Sequence, residues 1–131
     1  MNNKILIAVI IVLVIIGGFF LFNKEDEEPI VTEEIDLSGV VTHEVILTAD
    51  GYIPEDITIK KGEAVIFRTT EGNLFWPASN IHPSHTIYPE FDPKIPVSPD
   101  ETWAFVFDEL GAWKYHDHLN PIYRGVINVV E

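Results

Sequence analysis

Hydrophobic and polar residues are arranged in two unlike patterns along this chain. Residues 5–22 (ILIAVIIVLVIIGGFFLF) are apolar without interruption. As a helix the run would be about 27 Å long, enough for the hydrocarbon core of a bilayer. Beyond residue 38 the pattern shortens to a period of two: Ile57 and Ile59, then Trp103, Phe105 and Phe107, then Trp113 and Tyr115. That period belongs to strands with one buried face. β-Branched and aromatic residues fill 43–48, 56–60, 64–69, 102–108, 112–118 and 125–130, and each of these reads as a strand. Turn formers separate them, among them Asp50-Gly51, Lys61-Gly62, Glu71-Gly72 and Gly111. No segment beyond residue 22 carries a sustained helical period. Many short strands at this spacing predict an all-β sandwich or barrel.

One interval breaks the pattern. Residues 73–99 hold Pro77, Pro83, Pro89, Pro93, Pro96 and Pro99, which a central sheet excludes. The interval reads as a long ordered loop with a short strand at 86–88, because Phe75, Trp76, Tyr88 and Phe91 need burial.

Charge settles the expected organisation. Lys4 precedes the apolar run, and an acidic stretch follows it after Lys24. The positive-inside rule then predicts a cytoplasmic 1–4, a transmembrane anchor at 5–22 and an extracytoplasmic remainder. A cleaved signal peptide fits less well, since the run exceeds the usual apolar core and no small-x-small site follows it. Seven acids and Pro29 make 23–38 an extended acidic linker that contacts no partner of its own. The domain at 39–131 has fourteen acids against six Lys and Arg. With no basic cluster beyond the membrane, nucleic acid is a poor partner. Cysteine is absent, so no disulfide braces the domain and its stability must come from an apolar, aromatic core.

The candidate chemistry is histidine. Trp113-Lys114-Tyr115-His116-Asp117-His118 sets two histidines two apart in a predicted strand. Their Cα atoms would lie about 7 Å apart on one face, close enough for both rings to reach one ion. His82-Pro83-Ser84-His85 offers a second pair in the Pro-rich loop. Imidazole suits copper and zinc, and the affinity order puts Cu(II) first. His43, beside Glu44 at the start of a strand, reads as a surface residue. Asp117 should face the side of Trp113 and Tyr115. There it is either a buried carboxylate satisfied by donors such as Asn120 or a group that orients a ligand.

The order and spacing of these segments resemble the cupredoxins over essentially all of 39–131. Ala49-Asp50-Gly51-Tyr52-Ile53-Pro54 with Ile57-Thr58-Ile59-Lys60-Lys61-Gly62 resembles their first hairpin, and Ser84-His85-Thr86-Ile87 the place of their first histidine ligand. Pro99–Phe105, Gly111–His116 and Tyr123–Ile127 resemble their last three strands. The resemblance implies a Greek-key β-sandwich with a copper site between two loops at one end. It also implies a departure. Asp117 takes the place of the cysteine ligand, Asn120 that of the second histidine and Tyr123 that of the methionine; only His85 keeps its type. Without a thiolate, a blue copper centre is ruled out. Gly111–His118 further resembles the G-x-x-W-Y-H-x-H segment of multicopper oxidases, whose flanking histidines ligate copper at a domain interface.

The expected function is therefore a membrane-anchored, extracytoplasmic copper-binding protein acting in copper handling or electron transfer. It would use His82, His85, His116 and His118 and a redox or copper-delivery partner. A copper oxidoreductase with its site at a homo-oligomer interface and a metal-free interaction module are the alternatives. One conflict stays open at this level. An inward-facing His85 would sit on the opposite side of the strand from His116 and His118, unless the loop is rearranged to gather all four.

Overall fold

Eight strands realise the alternating pattern in a computed structural model that describes residues 35–131. They are β1 (Thr42–Thr48), β2 (Gly51–Ile53), β3 (Asp56–Lys60), β4 (Ala64–Thr69), β5 (Pro77–Ser79), β6 (Trp103–Val106), β7 (Gly111–Asp117) and β8 (Asn120–Val130). The expected anchor and most of the linker lie outside the described residues.

Two four-stranded sheets result, ordered β2-β1-β4-β6 and β3-β8-β7-β5. The β1–β4 and β3–β8 pairs are parallel and the others antiparallel. Inward residues of both sheets meet in one core: Val45, Leu47, Val65 and Phe67 from the first sheet, Ile59, Tyr115, Ile127 and Val129 from the second. The all-β, two-sheet sandwich expected from the period of two is thus present.

The Pro-rich interval is part of that core. Phe91 is fully buried and stacks on Trp103 with centroids 5.8 Å apart. Phe75 and Val97 form an isolated bridge that closes the interval on itself. Its strand is not where the sequence pattern puts it. Residues 86–88 are not a strand; Pro77–Ser79 is. β5 lies at the edge of its sheet, and a proline opening an edge strand leaves no ladder hydrogen bond unmade. The backbone near Tyr88 instead turns toward the Ser79 side chain, whose Oγ donates to the carbonyls of His85 and Tyr88.

Tyr115 fixes how β7 sits on β8. It pairs with Gly125, and its ring occupies the space a side chain there would need. A Cβ on Gly125 would collide with the Glu55 carbonyl and the Tyr115 phenol. With Tyr115 committed to the inter-sheet core, strand alternation sends His116 to the outer face of the second sheet.

Candidate metal centre

Two segments supply the four histidines. His116 is on β7 and His118 on the turn after it; His82 and His85 are on the loop leaving β5. β5 pairs with the end of β7 (Ala78 with His116, Pro77 with Asp117), so that loop begins beside the histidine pair. A register shift between His116 and Asp117 opens the turn, and the His118 amide donates to the Trp76 carbonyl at 2.7 Å.

All four histidines converge. One ring nitrogen from each lies within 4.8 Å of the others. His82 Nδ1 is 3.2 Å from His116 Nε2, and His85 Nε2 is 2.9 Å from His118 Nδ1. Neighbouring nitrogens that share an ion at about 2.0 Å stand roughly 2.8–3.3 Å apart, so each of these two pairs has the spacing of adjacent ligands on a metal.

Two rings are aimed from behind. His85 Nδ1 donates to Asp92 Oδ2 at 2.7 Å, and His116 Nδ1 to Asn80 Oδ1 at 2.8 Å. Such bonds fix the tautomer and leave Nε2 of both rings free to ligate. Asp92 is itself held: the Trp76 indole N–H, the Lys94 amide and the Lys94 ammonium all donate to it. The His118 ring lies against Trp76 with centroids 4.5 Å apart. His85 has φ of 51°, in the left-handed region that non-glycine residues rarely occupy. Its amide donates to the Ile81 carbonyl, and its own carbonyl accepts from Ser79 Oγ, which hold it there. An outlier held this firmly is typical of a ligand-positioning residue. His82 differs from the rest: it is exposed, and among the described residues its ring bonds only within the cluster.

The electrostatics suit cation binding. Burial, with the neighbouring His85, His82, His118 and Arg124 acting in the same sense, lowers the His116 pKa to about 4. Burial also lowers His118, with His85 and His82 adding to it. Both rings are therefore neutral near pH 7, as metal ligands must be. Burial pushes the Asp92 carboxyl up, but the bonds from Trp76, Lys94 and His85 outweigh it and hold the group well below the usual carboxylate range. Four imidazoles with one nearby carboxylate form a donor set that fits Cu(II).

Asp117 is buried and hydrogen-bonded within the turn that follows β7. It lies on the inner side, as strand alternation predicts, and touches no imidazole. Its Oδ1 accepts from the Leu119 and Asn120 amides at 2.8 and 3.0 Å, and its Oδ2 from the Trp76 amide at 3.1 Å. It is the buried carboxylate satisfied by local donors, and it pins the histidine-bearing turn to the entry of β5. The side chains hydrogen-bonded to the rings of His85 and His116 are Asp92 and Asn80. Neither stands out in the sequence, because both sit in loop segments without periodicity. Trp76 forms one wall of the cluster, with its ring against His118. The conflict over the side of the strand resolves through the loop, which carries His82 and His85 to the outer face where His116 already points. All four histidines of the cluster belong to one chain. His43 bonds Glu63 and is not part of the cluster.

No family model matches the chain, and no curated protein does either. Solved structures do. A reduced amicyanin variant aligns with a TM-score of 0.59 at 18% identity, covering 68% of this chain and 82% of that one. A purple cupredoxin from Nitrosopumilus maritimus aligns with a TM-score of 0.53 at 18% identity, covering 66% and 98%. The copper-containing nitrite reductase of Thermus scotoductus aligns with 0.57 at 20% identity, over 70% of this chain and 22% of that one. The described domain therefore has the cupredoxin fold, without a cysteine and with a cluster of four histidines on the outer face of its second sheet.

Proposed function

We propose that this chain is a membrane-anchored, extracytoplasmic copper-binding protein, held by residues 5–22 and acting in copper handling or electron transfer with a protein partner. The observation that carries the copper assignment is the convergence of four imidazole nitrogens within 4.8 Å, on a fold it shares with copper proteins. His82, His85, His116 and His118 hold the ion. Copper, when bound, supplies a one-electron couple and a cation that can be stored or passed on.

The remaining work is done by the chain. Asp92 and Asn80 keep a proton on Nδ1 of His85 and His116, so that Nε2 carries the lone pair. Trp76 covers His118 and shields one flank from water. An all-nitrogen set favours Cu(II) over Cu(I), because no soft sulfur donor is present to balance the two states. That preference suits holding and delivering copper better than rapid electron exchange.

Titrating the full-length chain with Cu(II), read by electron paramagnetic resonance, tests this reading. One equivalent should give a signal with wide copper hyperfine splitting and no intense thiolate absorption. His82→Ala, His85→Ala, His116→Ala and His118→Ala should each alter or abolish it. Chain purified without chelator that takes up no copper would overturn the proposal.

A further inference from the structure

Beside the cluster, a cavity of about 230 Å³ opens onto His82 and His116 and is lined further by Asn80, Ile81, Pro121 and Arg124. No carboxylate lines it, in a domain where acids outnumber bases by more than two to one. Its polar walls are donors whose other atoms are already committed. Asn80 gives its carbonyl oxygen to His116, which leaves the amide NH2. Arg124 spends Nε on the Pro121 carbonyl at 2.9 Å, which braces the guanidinium and leaves its terminal nitrogens. Among the described residues neither remaining group has a protein partner, and Arg124 forms no ion pair. Arg124 also stands directly across from His116 in the β7–β8 pairing, so both side chains share the outer face. Glu55, Asp56 and Lys114 line an adjoining cavity that Asn80 and Arg124 also border, and neither acid lines the cavity beside the histidines.

From this we infer that the cavity is a binding site for a small monoanion, of the size and charge of azide, nitrite or formate, held by Arg124 and the Asn80 amide against the histidine cluster. A planar guanidinium with free terminal N–H groups is built to receive such an anion. The inference rests on the copper reading in one respect: the anion would reach the metal on the side of His82, the exposed ligand. The cluster would then be a site that takes an outside ligand as well as one that stores an ion.

Sodium azide is the probe. In the copper-loaded full-length chain, azide should add a charge-transfer absorption and shift the copper resonance. Arg124→Gln should weaken azide binding at least about tenfold, the loss expected for one charge-assisted hydrogen-bonding group. The anion-free copper signal should be unchanged in that variant, and Arg124→Lys should recover part of the affinity. Equal azide affinity in wild type and Arg124→Gln, or no response to azide in a chain that binds copper normally, overturns the site. A chain that binds no copper overturns the copper reading alone. The anion site is then decided in metal-free protein by the amide resonances of Asn80, Ile81 and Arg124. Their displacement by azide, lost in Arg124→Gln, supports it, and no displacement overturns it.

Discussion

Asp92 and Asp117 are both carboxylates near the histidine cluster, yet they act on different things. Asp92 faces an imidazole, and its other bonds, to Trp76 and Lys94, hold it in place for that purpose. Replacing it with Asn removes the charge while keeping the shape. Copper affinity in Asp92→Asn should fall about 10–100-fold, the usual effect of losing a group that orients a ligand, with the fold intact by circular dichroism. Isothermal titration of copper into the variant measures it, and an unchanged constant would show that Asp92 only braces the loop. Asp117 faces backbone amides on the inner side of the strand. The resemblance to the cupredoxins gives it the place of their cysteine ligand, but the four histidines lie on the other face. Restoring the residue type should therefore not restore the centre. Asp117→Cys loaded with Cu(II) is expected to show no intense visible thiolate band, and a strong one would mean that the metal sits between the sheets.

At the scale of elements, the Tyr115–Gly125 pair fixes the relation of β7 to β8 and so decides which face His116 takes. Tyr115 achieves this with its ring alone. Its hydroxyl is buried with no hydrogen-bond partner among the described residues, and burial raises its pKa far above the ordinary phenol value. An unpaired buried hydroxyl costs about 1–3 kcal/mol. Tyr115→Phe keeps the ring and should raise unfolding stability by about 1 kcal/mol in urea titration; a loss of similar size would reveal a hidden partner for the phenol. The Pro-rich interval acts at the same scale. Phe91 and Phe75 seat it in the core, and the same segment carries His82, His85 and Asp92 across the outer face of β7. Its long loop is ordered by the residues that bury it, which is why a stretch with so many prolines can position three site residues.

For the whole molecule, the cluster links stability to pH. His116 ionises in the unfolded chain near its ordinary value of about 6.5. In the folded protein burial holds it to about 4. Between those values the unfolded state binds the additional proton, so stability is present above the window and is lost as pH falls through it. Thermal melting of copper-free protein should drop as pH is lowered from about 6.5 toward 4, and His116→Gln should flatten that slope. An equally steep slope in the variant would place the dependence on other groups. Copper competes with the same protons, so its affinity should fall across the same range.

Period-two alternation in β3, β6 and β7, with β-branched and aromatic runs in β1, β4 and β8, was enough to read six of the eight strands, because an apolar row must be buried whatever the partner strand is. β2 and β5 were not legible: each is three residues long, too short to show a period, and β5 opens with a proline that only an edge position tolerates. The four histidines were visible as a residue type suited to copper, and the missing cysteine excluded a thiolate centre before any fold was known. Which side of the strand they use was not. That depended on Tyr115 filling the space above Gly125 and on the β5 loop crossing the outer face, both contacts between residues distant in the chain. Asp92 and Asn80 were hidden for the same reason, since a carboxylate or amide in a loop gains its role only from what folding sets against it. Chemistry of the donors is a property of side chains and can be read along the sequence. Their convergence on one point is a property of packing, and the tertiary structure alone decided it.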